Sequence, residues 1–495
     1  MTERPEGTAF PRRRHGRRAP APGGRRPRGP RRPLGPLAAA LLLLGAPGSA
    51  GAQVGPASPA PPLPDTLTLQ SVLERALAVD PAMAAAGAGA DAATSALEAA
   101  RADRLPSVAT SADLVRFQEP MVVAPLHGLD LQSPPEFDNT LVQGQVGLEW
   151  TAWDGGARGA RIRRARAGRS AALAGEAGTR QERIADVAGA YLDVLTAREV
   201  GVAHARQREA LEAERDRVAR FLAEGTAARV ELLRAEAALS AARADEEGSR
   251  ATLRAAESHL ARILEVPAPT IHGAGLRDVA LDEDSARAPD DLVAGHPALV
   301  AARERADAAR ASVDEARARW MPTVQATGGF QEFGGSSSDF STEWRTGVRL
   351  SWAVFTGGAR GAATDRARAE ARRAEEEVRV LERSLRTAAD EARAAGDEAT
   401  ARAAALTDAV EQFEELTRVE ALALREGAGV QSDYLRAESG LLDARAGLAA
   451  ARRARVRARI ALAAALGELE VAWLRGRIRS GETIRGDGTS SEERE

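Results

Sequence analysis

A thirteen-residue segment of this chain occurs twice, and the repeat limits the folds open to it. Leu148-Glu-Trp-Thr-Ala-Trp-Asp-Gly-Gly-Ala-Arg-Gly-Ala160 returns as Leu350-Ser-Trp-Ala-Val-Phe-Thr-Gly-Gly-Ala-Arg-Gly-Ala362, at an offset of 202. The same offset aligns Glu224-Gly225 with Glu426-Gly427 and Leu233-Arg-Ala-Glu236 with Leu435-Arg-Ala-Glu438. Upstream the offset is 216: Asp80-Pro81 matches His296-Pro297, and Leu105-Pro106 matches Met321-Pro322. One insertion of 14 residues between Pro106 and Trp150 accounts for the difference. A chain built this way is two copies of one structural unit.

Each copy follows the same order. A helical stretch runs from one proline (81 or 297) to the next (106 or 322), since proline is tolerated at a helix start and stops a helix further on. A Thr-, Val-, Gly- and aromatic-rich region follows. Then comes a very long helical run, 157–224 or 359–426, a Gly turn at 225 or 427, and a shorter returning helix, 229–264 or 431–466. Ile184, Val187, Tyr191 and Val194, and likewise Leu406, Val410, Phe413 and Leu416, step by three or four and put a narrow apolar seam on each long helix. Glu375/Arg379, Glu382/Arg386 and Glu414/Arg418 suit a solvated face. Gly168, Gly175, Gly178 and Gly189 predict a kink or a close helix approach in the first long helix. A helix of 68 residues reaches roughly 100 Å, and two shorter helices end to end match it, so each chain makes four helical columns.

The strands read differently from soluble ones. Val142, Gly144, Val146, Leu148 and Trp150 alternate with Gln143, Gln145, Gly147 and Glu149. Trp344, Thr346, Val348, Leu350 and Trp352 alternate with Arg345, Gly347, Arg349 and Ser351, and Val324 to Phe330 behave alike. Ser107–Arg116 is the least regular. Each is long enough to cross a bilayer when tilted. Eleven of the 17 aromatics fall within 106–156 and 320–358, in the manner of a membrane-interface girdle, with Trp150, Trp153, Trp344, Trp352 and Phe355 as interface residues. The alternative is a pair of soluble hairpins packed on a helical domain. Four strands cannot close a barrel and open edges cannot face lipid, so a membrane role demands more than one copy.

Residues 1–52 read as a signal peptide: eleven arginines, the apolar run Leu37–Leu44, and Ala50-Gly51-Ala52 before Gln53. A disordered basic tail is the other reading. Without that segment the net charge moves from −3 to −12, a poor match for nucleic acid. Residues 53–64 are a flexible lead-in, 65–270 the first repeat with its hairpin at 107–150, 286–470 the second with its hairpin at 323–352, and 476–495 a disordered tail. With no cysteine, disulfides, thiolate metal sites, a cysteine nucleophile and a lipidated anchor are excluded.

Over essentially the whole mature length the chain resembles the TolC-like outer-membrane factor family. The motifs that carry this are Trp-x-x-Trp-Asp-Gly-Gly-x-Arg at 150–158, Trp-x-x-Phe-Thr-Gly-Gly-x-Arg at 352–360, and the two Gly turns. The resemblance implies a mainly α fold with membrane β-strands: a homotrimer whose twelve-stranded β-barrel continues into a twelve-helix periplasmic α-barrel. It implies an outer-membrane exit duct for efflux or type I secretion, a passive conduit working with a periplasmic adaptor and an inner-membrane pump. In the family, acids six residues after each tip Gly line the periplasmic gate; here these are Glu231 and Asp433. They also suit a helix first turn. The family example has a further Asp where this chain has Arg436, and a basic residue where it has Gly429. Gly225, Thr226, Gly427 and Ala428 become the adaptor-docking tips, and Gly155, Gly156, Gly357 and Gly358 the strand-to-helix bends.

No enzyme is expected. The six histidines show no i,i+4 pair, and there is no P-loop or dinucleotide fingerprint, so no cofactor or metal is implied. The competing class is a periplasmic coiled-coil adaptor or scaffold. An adaptor usually has a single long hairpin, and a scaffold has neither signal nor girdle strands.

Overall fold

The computed structural model describes residues 62–123, 135–281, 290–337 and 340–484. The expected signal peptide and nearly all of the lead-in lie outside them. Both copies are present in register. The first comprises α2 (Pro81–Ala102), β2 (Ser107–Val122), β3 (Phe137–Trp153), α3 (Ala157–Ala223) and α4 (Arg229–Ile263). The second comprises α6 (Pro297–Ala318), β5 (Thr323–Gly334), β6 (Phe340–Ser351), α7 (Ala359–Arg425) and α8 (Gln431–Ala465). The two long helices each have 67 residues, roughly 100 Å of continuous helix. α3 is unbroken across all four of its suspected glycines; only Gly178 has a neighbour, the start of α6 with Pro297 Cβ 3.9 Å from where a Cβ would sit.

The columns stand side by side. Beside the strands the order is α2, α3, α6, α7; towards the tips it is α4, α3, α8, α7. Thus α2 and α4 form one column, and α6 and α8 another. The short helices meet end to end. At these joints Arg75 Nε of the helix 69–79 donates to the Leu264 carbonyl at 3.0 Å, and Gln181 Nε2 of α3 donates to that of Gly467 at 2.6 Å. Gly467, at φ +79°, leaves room for His296, whose Cα would lie 2.7 Å from an added Cβ. The solvated-face pairs are partly rearranged. Arg386 takes Glu382 at 2.7 Å as expected, but neighbouring helices claim the other acids: Arg310 of α6 takes Glu375 at 2.8 Å, and Arg445 of α8 takes Glu414 at 2.8 Å.

A belt that sequence periodicity does not reveal surrounds the middle of α3. It holds β1 (Thr66–Leu67), α1 (Leu69–Val79), α5 (Ala268–Gly273), β4 (Gly275–Leu281), α9 (Val471–Arg477) and β7 (Ile478–Ile484). β1 pairs parallel with β4, and β7 antiparallel with it. The expected disordered tail from 476 is corrected here: residues 478–484 form a strand, because β4 offers a free edge to it. The largest apolar cluster sits at the belt, with Ile184, Val187, Tyr191 and Val194 against Leu67, Val72, Leu73, Leu260 and Leu276. So the apolar seam read on the first long helix is buried. Tyr191 Oη reaches the carbonyls of Leu67 and Arg277, at 2.9 and 2.6 Å, and burial pushes its pKa well above the ordinary tyrosine value. Arg198, fully buried, donates to the carbonyls of Ala274 and Ile271 and pairs with Glu257 at 3.0 Å.

Candidate functional site: helix tips and strand sheet

The four long strands form one antiparallel sheet in the order β2, β3, β5, β6. Outside the register shifts after Arg116 and Thr151, every pairing joins residues of like parity: Val108 opposite Leu148, Leu148 opposite Gly328, Ala326 opposite Val348. Paired residues share a face, so the alternation seen strand by strand adds up across the sheet. One face carries Val108, Leu114, Val146, Leu148, Trp150, Val324, Phe330, Trp344, Val348 and Leu350. The other carries Ser111, Asp113, Gln143, Gln145, Glu149, Gln325, Gln331, Glu343, Arg345 and Arg349. Val115, Leu141 and Phe333 on the polar face, with Arg116 and Glu332 on the apolar face, are departures, all near the strand ends furthest from the helices. A register shift between Thr151 and Trp153 turns Trp153 to the side of Val324. Trp150, Trp153, Trp344, Trp352 and Phe355 are all exposed. Among the described residues no helix is long and apolar enough to cross a membrane.

Aromatics and glycines work together where strand turns into helix. Trp150 Nε1 donates to the Arg104 carbonyl at 3.0 Å, and Trp352 Nε1 to the Trp320 carbonyl at 3.1 Å, the same bond in each copy. Gly155 and Gly156 have φ of +67° and +94°, Gly357 and Gly358 +59° and +87°, a left-handed pair that glycine adopts without strain. The Asp154 carboxylate accepts from the backbone N–H of Gly156 and Arg158, at 3.2 and 2.8 Å. Then the motif arginine closes the bend. Arg158 donates to the carbonyls of Asp103 and Ala152 at 3.3 Å each; Arg360 donates to those of Arg319 and Val354 at 3.4 and 2.9 Å. Each guanidinium therefore joins the end of a short helix to the end of a strand. Arg360 also lies 4.8 Å over the Trp320 ring.

At the opposite end Gly225 and Gly427 take φ of +79° and +75° and reverse the chain. Thr226 N–H caps the Phe221 carbonyl at 2.8 Å, and the N–H groups of Ala428 and Gly429 both cap that of Ala423 at 2.9 Å. A Cβ on Gly429 would lie 2.8 Å from the Leu424 nitrogen, so the turn itself disfavours a long basic side chain there. Glu231 lies in the first turn of α4, its Oε2 3.4 Å from the Ala228 N–H. Asp433 holds the same place on α8 and pairs with Arg436 at 2.9 Å. Glu231 thus serves its helix start, while Asp433 is held by the arginine one turn on.

A cluster that sequence reading missed joins the two copies near the tips. Arg217 of α3 grips the buried Glu214 with two bonds of 2.8 and 2.7 Å, and Gln431 Nε2 of α8 reaches Glu214 at 3.3 Å. Arg217 also lies 5.2 Å over the Phe221 ring. Beside them burial, Glu438 and Glu214 push Tyr434 up to about 12, and burial raises the Glu438 carboxyl. The i,i+3 spacing of Glu214 and Arg217 is visible in the sequence, but that α8 covers them is not. Among the described residues no cluster of metal-ligating side chains occurs.

The model of the outer membrane efflux protein family matches residues 72–265 and 288–468, one segment in each copy. Protein CyaE of Bordetella pertussis is 32% identical over 320 residues, 62% of this chain. That stretch spans 64% of CyaE. Among solved structures, the outer membrane protein VceC of Vibrio cholerae superposes with a TM-score of 0.70 at 18% identity, covering 81% of this chain and 96% of VceC. The open state of the MtrE outer membrane channel of Neisseria gonorrhoeae gives 0.65 at 20% identity, covering 81% and 88%. At such identities the likeness is one of fold.

Proposed function

Because the chain belongs to the outer membrane efflux protein family, we propose that it is the outer-membrane exit duct of an efflux or type I secretion system. The observation that carries this reading is the sheet. It is apolar on one face and polar on the other, unpaired at both edges within the chain, and continuous with helices roughly 100 Å long. Only closure by further copies removes such edges from lipid. Three copies supply the twelve strands and twelve columns that the family resemblance implies, with the apolar face to lipid and the polar face to a water-filled lumen. The duct is a passive conduit; a periplasmic adaptor docks at Gly225, Thr226, Gly427 and Ala428, and an inner-membrane pump supplies the energy. Glu231 and Asp433 contribute to the gate at the tips, and Trp150, Trp153, Trp344, Trp352 and Phe355 sit at the membrane interface. The chain is exported to the outer membrane and carries no lipid, and it is a transport protein with no catalytic centre. Deleting it should abolish export by its partner pump while that pump remains in the inner membrane. A strain that exports normally without it would overturn this reading, and a purified chain that needs no detergent would favour a periplasmic adaptor or scaffold instead.

A further inference from the structure

Between the two inner columns of the chain, α3 and α8 leave a cavity of about 230 Å³. Arg453 of α8 joins Glu199 at the cavity wall to Asp278 of β4, so the cavity abuts the belt on the side towards the tips. Both helices line it with one pattern. On α3 the pattern is Glu199, Val202, Ala203 and Arg206; on α8 it is Glu438, Leu441, Leu442 and Arg445. Steps of three, four and seven put each set on one face of its helix. Leu448 and Arg452 continue the α8 face. Leu441, Leu442 and Leu448 are buried, whereas Arg206 and Arg452 are exposed. The cavity therefore has an apolar floor and a rim of guanidinium groups.

The charges at the rim do not cancel. Glu199 is held by Arg453 at 3.1 Å, and burial raises the Glu438 carboxyl against the pull of Arg445. Arg445 is engaged with Glu414 of α7 at 2.8 Å. Arg206 and Arg452 have no ion pair among the described residues.

The internal repeat shows that the fold does not require this lining. At the offset of 202, Val202, Ala203 and Arg206 correspond to Ala404, Ala405 and Asp408 of α7. Leu442, Leu448 and Arg452 correspond to Ser240, Glu246 and Arg250 of α4. There Glu246 holds Arg250 at 2.6 Å. Leu448 in the place of that acid leaves Arg452 without it. The twin positions thus mix small, polar and oppositely charged residues, while this cavity is apolar below and cationic above.

We propose that the cavity binds a small aromatic carboxylate, with its ring on Val202, Leu441, Leu442 and Leu448 and its acid group at the rim with Arg206 and Arg452. Size selects this class. An apolar cavity of about 150 Å³ takes benzene, so 230 Å³ holds one ring with an acid group and little more. A long-chain amphiphile exceeds that volume, and an inorganic anion leaves the leucines unused. Charge selects it too: a guanidinium offers a carboxylate two parallel N–H donors and stacks on an aromatic face. A ligand held there touches one helix from each copy, so it ties the two halves of a subunit together beside the belt. Binding to the folded chain alone raises its stability by mass action.

The test uses the full-length protein in nanodiscs, where no detergent competes for the apolar floor. Titration calorimetry with benzoate should show saturable binding at one site per chain, and the melting temperature should rise with benzoate concentration. Benzyl alcohol, similar in size and uncharged, should bind about tenfold more weakly, the loss expected for a charge-assisted hydrogen bond. Arg206→Gln with Arg452→Gln should erase the preference for benzoate. Leu448→Glu, which installs the acid found at the twin position, should abolish binding by giving Arg452 an internal partner. Circular dichroism checks that each variant is folded, and the arginine pair decides if Leu448→Glu is not. Absence of saturable benzoate binding by the parent would overturn the site. So would equal binding of benzyl alcohol, or undiminished benzoate binding by the folded variants.

Discussion

The arginine that closes each Gly-Gly bend ties together two carbonyls belonging to different elements. Removing it from Arg158 frees those of Asp103 and Ala152, which lose partners worth about 1 kcal/mol each. Arg158→Ala with Arg360→Ala should lower the melting temperature in detergent, and lysine should restore little, because one ammonium cannot reproduce the planar fork. Rescue by lysine to the parent value would show that charge alone matters there. His296 supplies a second expectation. It caps α6 by accepting from Ala298 N–H at 3.1 Å, where the first copy uses Asp80 on Ala82 N–H at 2.7 Å. Burial lowers its pKa below the ordinary 6.5, with the Ala464 carbonyl opposing the shift. As the pH falls below about 6.5 the unfolded chain takes up this proton first, so stability present above that value declines. His296→Asn should flatten that part of the melting-temperature profile, and an unchanged slope would place the titration elsewhere. At the proposed gate, Arg436 pairs with Asp433 at 2.9 Å. Glu231→Gln should therefore reduce cation preference in planar bilayers more than Asp433→Asn does, since rings of acids favour cations. Equal and negligible effects would leave both acids as helix caps.

Among the elements, the long helices and the four strands were legible in the sequence because each is long enough for its period to repeat. The belt was not. β1 has two residues, β4 and β7 seven each, and their pairing joins positions some 200 residues apart, so no local pattern marks them. The strand-to-helix bends were legible through their glycines, yet the arginine's role was not, because its acceptors are backbone carbonyls that carry no sequence signature. The same limit hid the Glu214, Arg217, Gln431 and Tyr434 cluster, whose members come from opposite copies. The second apolar seam holds only in part: Leu406 and Val410 pack against the cluster of Ala403 and Leu448, whereas Leu416 is exposed in the single chain. The reversals at Gly225 and Gly427 lie at the ends of the longest helices, away from the sheet. Thr226→Trp with Ala428→Trp should accordingly cut export while leaving oligomer and barrel intact, as read by export assay and by protease resistance of the strands. Full export in the double variant would move the docking surface off the tips.

As a whole molecule the protein is expected to be a detergent-dependent trimer, and light scattering of a stable monomer in plain buffer would refute that. The two hairpins differ within the shared element order: the first connects its strands through residues 123–136, the second through 335–339. In the proposed trimer the helices would repeat six times around the axis, and these unequal connections only three times. The belt has a different kind of consequence, one of timing. Its small sheet joins strands from near the beginning, the middle and the end of the chain: Thr66–Leu67, Gly275–Leu281 and Ile478–Ile484. The waist of each subunit cannot be finished until the last of these has been delivered. Under the proposed export, a polypeptide threaded across the inner membrane from its front end carries its own completion mark, and one cut short before Ile478 arrives with its girdle unfastened.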